Sequence, residues 1–343
     1  MRIEKYNILV TGGASFIGSH LVDALVARGA AVRVVDDLSC GDRANIDGHI
    51  ASGKIEFIKG NLLDPAAAKR AVRGADVVVH LAACHGGRGY VNSCQADCST
   101  NMMLDGNVFA AARAARIKKL VFASSGCVYP NFRQMNVRKK IYLSERMAGP
   151  PYDADNMYGW AKLMSEFTLK AYYKEYGMDS VSLRYFTVYG PRAVESHAVM
   201  AIIARAFVKA DPFEVWGDGS QVRNWTYVGD IVSGTIRAAE RSGGAVSINL
   251  GTMERIKVSD VVKEAVRYAG YDPEVKFLPQ MPVGPLNRVA DNKLARKLLG
   301  WQPRNKFRDD FRRTIKWYFG AKDAATVRKT LKSRLFGTRC RSA

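Results

Sequence analysis

The sequence predicts a doubly wound α/β fold: a parallel sheet with helices on both faces and a smaller C-terminal lobe beside it. Three observations lead there. Strand-like apolar runs alternate with helix-like segments along the chain. A glycine-rich turn follows the first run directly. An acidic pair closes the second run about twenty residues later. At 343 residues, 48% hydrophobic and 24% charged, the chain has the size and balance of a globular protein with a large core.

Taken in order, residues 6–11 read as the first strand. Gly12-Gly13-Ala14-Ser15-Phe16-Ile17-Gly18 then opens a helix that runs to Arg28 and stops at Gly29. Glycines in such a turn let backbone N–H groups and a helix N-terminus receive a pyrophosphate. Gly12, Ser15, Phe16, Ile17 and Gly18 are therefore candidate cofactor residues of a Rossmann-like domain. Ser15 stands where the dinucleotide fingerprint has glycine, and its hydroxyl offers a donor to a phosphate oxygen. The second strand, 31–35, ends in Asp36-Asp37. A carboxylate there binds the adenosine ribose hydroxyls and repels a 2′-phosphate, which favours NAD over NADP. A turn or cap aspartate is the alternative.

Ile55–Lys59 reads as the third strand, followed by Gly60-Asn61-Leu62, and 75–81 as the fourth. Leu81-Ala82-Ala83 leads into the loop Cys84-His85-Gly86-Gly87-Arg88-Gly89-Tyr90, beyond a strand's carboxyl end, where open α/β sheets bind ligands. His85 with Cys84, Cys94 and Cys98 matches no standard zinc spacing, so no metal is expected. A long helix over 94–116 precedes the fifth strand, 119–123, and then Ser124-Ser125-Gly126-Cys127.

Tyr158-Gly159-Trp160-Ala161-Lys162 puts a phenol and an ammonium one helical turn apart on one face. A free phenol titrates near 10. A lysine held close favours the phenolate and makes the pair a proton acceptor for an alcohol losing a hydride. An exposed helical pair is the plainer reading of that spacing. The glycine turn and Ser124-Ser125 in the same chain favour the chemical one.

The formal charge of +20 admits nucleic acid, an anionic membrane surface or anionic substrates as partners. The basic residues are scattered, and no nucleic-acid signature accompanies them, which argues against a nucleic-acid partner. Only the tail is concentrated, with seven Lys/Arg against Asp323 from 322 to 343; it reads as a solvated, frayed end or as a weak membrane-surface contact. Six cysteines without a framework spacing, and no room for a signal peptide before the first strand, point to reduced thiols in a cytoplasm.

From about residue 7 to 317 the chain resembles the extended short-chain dehydrogenase/reductases that act on nucleotide sugars. Thr11-Gly12-Gly13 through Gly18, Ser125 and Tyr158/Lys162 match the cofactor and catalytic pattern. Arg184-Tyr185-Phe186, Tyr189-Gly190-Pro191, Trp216-Gly217-Asp218-Gly219, Arg223, Asn249 to Gly251, and Arg288 to Asp291 match the substrate lobe. Gly86-Gly87 and Ser125-Gly126-Cys127-Val128-Tyr129-Pro130 are most similar to GDP-mannose 3,5-epimerases and GDP-fucose synthases. The resemblance implies a Rossmann-like domain over 1–185 plus about 229–250, a substrate lobe over 186–320 and a basic tail over 321–343. It implies NAD held also by Asn61, Leu62, Leu81, Ala82 and Ala83, with Asn61 where an aspartate is usual near the adenine. Ser125, Tyr158 and Lys162 are then the oxidising group. Cys127 and His197 are the candidate acid and base at C3 or C5 of a transient 4-ketone. Cys127 as a small buried hydrophobe, and His197 as a helix-start residue, are the alternatives. Gly87, Arg88, Thr187, Arg223 and Arg288 are the candidate substrate contacts, with Thr187 where asparagine is frequent. Guanidinium forks suit a diphosphate, and salt bridging is the other reading of the two later arginines. The implied reaction is epimerisation of a GDP-sugar, with UDP-sugar 4-epimerisation, dehydration or reduction as alternatives. A homodimer through the two long helices is also implied.

Overall fold

The computed structural model describes residues 1–304 and 306–335. Its centre is one parallel sheet of seven strands: β1 (Asn7–Thr11), β2 (Ala31–Asp36), β3 (Ile55–Lys59), β4 (Val77–His80), β5 (Lys119–Ser125), β6 (Ser180–Tyr185) and β7 (Val246–Leu250). They lie in the order β7-β6-β5-β4-β1-β2-β3. The strands are near-continuous apolar runs because both sheet faces are covered. Ile8, Val10, Val34, Val79 and Val121 enter one core, while Leu9, Val35, Val78, Leu120 and Phe122 enter the other. The strand order reverses between β1 and β4. That reversal opens a crevice at their carboxyl ends, above Gly12 on one side and Ala82 on the other.

Five helices matter for the site: α1 (Phe16–Ala27), α2 (Asn101–Ala114), α3 (Asn156–Tyr176), α4 (Ala198–Phe207) and α5 (Val228–Arg241). The expected single helix over 94–116 is instead three pieces, Arg88–Ser93, Gln95–Ser99 and α2. Cys94, at φ −115° and ψ 54°, ends the first. The second break has a purpose: Asn101, at the head of α2, receives the Cys84 amide on its side-chain oxygen (2.7 Å) and donates to the Cys84 carbonyl (2.8 Å). The loop after β4 is thereby tied to α2.

The chain leaves the sheet after β6, returns for α5 and β7, and returns again with α6 (Lys293–Leu299), whose Ala295 and Leu299 join the sheet's core with Trp301. In the outer lobe Val222–Arg223 runs between Ile256–Lys257 and Asn287–Arg288, and its register sets Arg223 beside Arg288.

The basic tail differs from the frayed end expected. Ala324–Arg334 is a helix, α7, capped by Asp323, which receives the Thr326 amide at 2.8 Å. Val327 and Leu331, four residues apart, are buried in the outer lobe's core with α4. Arg334 pairs with Glu195 at 3.2 Å, and Arg328 donates to the Val208 carbonyl. Part of the charge expected to face a surface is thus engaged within the fold. Arg339, Cys340 and Arg341 lie outside the described residues. Among the described residues, no helix is long and apolar enough to cross a membrane.

Candidate active site

The site is assembled where α3 closes on the turn that follows β5. Gly159 makes that closure possible: a Cβ at this position would overlap the Cys127 carbonyl. The same carbonyl receives the Asp155 amide at 2.8 Å. Ser125 accepts a hydrogen bond from the Cys127 amide (3.1 Å) and is hydrogen-bonded to Tyr158. Tyr158 is half-buried. Burial, then the neighbouring Cys127 and Asp105, push its phenol above the ordinary range, while Ser125 opposes the shift.

The expectation had Lys162 favour the phenolate of Tyr158. The ammonium also has a carboxylate partner. Lys162 is 1% exposed, 3.6 Å from Asp105 and 4.5 Å above the centre of the Phe122 ring. Burial alone would raise Asp105; Lys162 and His80 outweigh it and hold the carboxyl below its ordinary range.

Cys127 lies beside Arg288, which donates to Sγ at 3.1 Å, to Asp155 at 2.9 Å and to Gln134 at 2.8 Å. A guanidinium at that distance stabilises negative charge on sulfur. Arg88 forms a fork on the same Asp155, at 2.7–3.0 Å. Arg223, the strand neighbour of Arg288, donates to the carbonyls of Val222 and Val283. Its burial and the two flanking arginines push it down to about 9. Three guanidiniums therefore lie around one carboxylate, which is bonded to two of them. Such an excess of buried positive charge suits a diphosphate. Arg88 and Arg223 also line a cavity under α4 with Trp216, Gln221 and Trp225; Gly87, Thr187 and Arg288 lie outside that lining. Gly87 sits against the Ser196 carbonyl, and Thr187, at φ 25°, accepts the Thr226 amide through its own carbonyl.

His197 occupies the N-cap position of α4 without capping it. Its ring centre is 5.4 Å from that of His85, which is 5.9 Å from that of Tyr158. Burial and His85 push His197 down to about 3, so the imidazole is neutral near pH 7.

The crevice between β1 and β4 is lined by Gly12, Ser15, Asp36, Asn61, Leu62, Ala82 and Ala83. Phe16 and Ile17 begin α1 behind it, and Leu81 donates to Thr11. Gly18 lets α1 pack on the turn, since a Cβ there would overlap the Gly12 carbonyl. Asp36 accepts from the Ala14 amide (3.0 Å), the Leu38 amide (2.9 Å) and Ser15 (3.4 Å), which fixes its carboxylate at the crevice edge. These residues fit a dinucleotide: a tight turn with amides and a helix start for the pyrophosphate, and a carboxylate for the ribose.

Reading the sequence weighed His85 as a metal ligand alone, and missed Asp105, Asp155 and Gln134. Asp105 carried a signal, because it interrupts the stripe Leu104, Val108, Phe109 and Ala112 on the buried face of α2. Asp155 and Gln134 carried none, since the arginines that they hold are distant in the chain.

A model of the NAD dependent epimerase/dehydratase family matches residues 8–251. The chain belongs to this family. A GDP-mannose 3,5-epimerase of Oryza sativa subsp. japonica is 29% identical over 319 residues, covering 92% of this chain and 82% of that protein. A UDP-glucose 4-epimerase of Mycolicibacterium smegmatis is 32% identical over 316 residues, covering 90% and 97%. The crystal structure of a Thermus thermophilus UDP-glucose 4-epimerase in complex with NAD superposes with a TM-score of 0.80 at 32% identity, covering 92% of this chain and 99% of that one. The fold is the Rossmann-like one of nucleotide-sugar epimerases and dehydratases, and the cofactor of this family is NAD.

Proposed function

We propose that this protein epimerises a nucleotide sugar, a GDP-sugar in our reading, through a transient 4-ketone and a proton exchange at C3 or C5. The observation that carries the reading is the Arg288–Cys127 contact, 3.1 Å long and next to Tyr158. A 4-epimerase removes and returns a hydride and the C4 hydroxyl proton, and has no use for a further thiol at the sugar ring. When bound, NAD supplies the hydride acceptor and gives the hydride back. Tyr158, hydrogen-bonded by Ser125, takes the proton of the C4 hydroxyl. The ketone acidifies the neighbouring carbon-bound hydrogens. Cys127 removes or delivers one of them, with His197 or the adjacent His85 across the site. Arg88 and Arg223 hold the diphosphate, and Asp155 fixes Arg88 and Arg288 in place.

A UDP-sugar 4-epimerase is the second reading. It is favoured by His197, which at about 3 is a weak base for carbon acids. The test is turnover of GDP- and UDP-sugars in deuterated water, with products read by NMR. Deuterium at C3 or C5, lost in Cys127→Ser while NADH absorbance still develops, is the expected result. Unlabelled product from an unimpaired Cys127→Ser enzyme leaves the 4-epimerase reading in its place.

A further inference from the structure

We propose that Asp105 is a positioning residue for this site: the buried counter-ion that fixes where the Lys162 ammonium sits and balances its charge. Asp105 projects from α2 into the interior and is 1% exposed; His80, on β4, is fully buried. The carboxylate has three partners from two elements, β4 and α3. His80 Nε2 lies 3.0 Å from Oδ1, Ser165 donates to Oδ2 at 2.7 Å, and Lys162 reaches Oδ2 at 3.6 Å. His80 Nδ1 is 2.7 Å from the Thr11 hydroxyl. That hydroxyl oxygen already accepts from the Leu81 and Ala82 amides, each at 3.1 Å.

Counting protons gives the chain a direction. The Thr11 oxygen receives two N–H groups, so its single hydrogen points to His80 Nδ1. Nδ1 is then an acceptor, the neutral ring carries its hydrogen on Nε2, and that hydrogen goes to Asp105. A protonated His80 would face the Thr11 hydroxyl donor to donor. Three donors converge on Asp105 and keep it ionised. Thr11 precedes Gly12 of the cofactor turn, and Lys162 lies one turn beyond Tyr158. One hydrogen-bonded line therefore joins the cofactor-binding strand end to the helix that carries the oxidising tyrosine.

The consequence is electrostatic. With Asp105 present, the Lys162 charge is already balanced, and a phenolate at Tyr158 adds an uncompensated negative charge. Without it, a phenolate at Tyr158 would help to balance the ammonium instead. The other titratable groups around the pair are His80, Cys84, His85, Cys98 and Cys127. A fixed anion here also favours the oxidised cofactor, whose nicotinamide ring bears a positive charge that the reduced ring lacks.

Asp105→Asn keeps the shape and removes the charge. The inference rests on Tyr158 and Lys162 as the proton-handling pair, not on which carbon is inverted, so the deuterium test can fail while this one succeeds. NAD+ and NADH affinities, measured separately by calorimetry, are the first readout. The NAD+ affinity of the variant falls relative to NADH on the order of tenfold. In the second, Tyr158 of the variant, followed by NMR of ring-labelled tyrosine, titrates at lower pH than in the natural protein. Equal changes for the two cofactor forms, or an unmoved Tyr158, overturn the proposal and leave Asp105 a packing residue. Asp105→Thr, smaller and also neutral, carries the same expectations if the asparagine variant does not fold.

Discussion

Tyr158 is the residue on which the chemistry turns, and its surroundings define its task. Burial keeps the phenol protonated in the resting protein. It becomes a base only when charge in the site changes, a requirement typical of groups matched to one step of a cycle. Tyr158→Phe should leave NAD binding intact and lower sugar oxidation by about 10²–10⁴-fold, the usual contribution of a general base. Anaerobic mixing with substrate, read as NADH absorbance, checks it. Near-natural turnover would remove Tyr158 from the mechanism. Cys127, by contrast, owes its interest to Arg288, a residue 161 positions away.

At the scale of elements, α2 and α3 do two jobs. Their inner faces carry Asp105, Tyr158 and Lys162. Their outer faces leave large apolar side chains in solvent: Met102 and Met103 on α2, and Trp160 and Met164 on α3. A patch of this kind on two packed helices supports the homodimer implied by the family resemblance. Light scattering should give twice 37.9 kDa, and Met164→Glu should shift the protein toward the monomer. A monomer at micromolar concentration in the natural protein rejects this contact. In such a dimer the site and the contact face would share a rigid base, since the helices that bring the catalytic groups together would also meet the partner.

For the whole molecule, acid sensitivity follows from buried imidazoles. Burial lowers His20, His80 and His197, the last to about 3. In the unfolded chain each protonates near 6.5. As pH falls through that value, the unfolded state takes up protons that the fold refuses, so stability falls toward acid. Each such histidine contributes a slope of at most about 1.4 kcal/mol per pH unit. Asp36, which burial raises, works in the opposite direction and limits the loss. Urea midpoints should therefore be lower at pH 6 than at pH 7.5. A midpoint that rises on acidification contradicts the buried neutral assignment.

The residues alone determined the parallel sheet, the glycine turn with Asp36 at the next strand end, and the Tyr158–Lys162 spacing. Each is a local pattern: periodicity, a backbone that needs glycine, or two positions one helical turn apart. Only the tertiary structure decided which charges meet. Lys162 faces Asp105 rather than the phenol alone, Arg288 wraps Cys127, Asp155 clamps two arginines, and α7 folds back onto the outer lobe. Those pairings join positions far apart in the chain. A buried charge takes whichever partner the packing brings within reach, and sequence spacing carries no record of that distance.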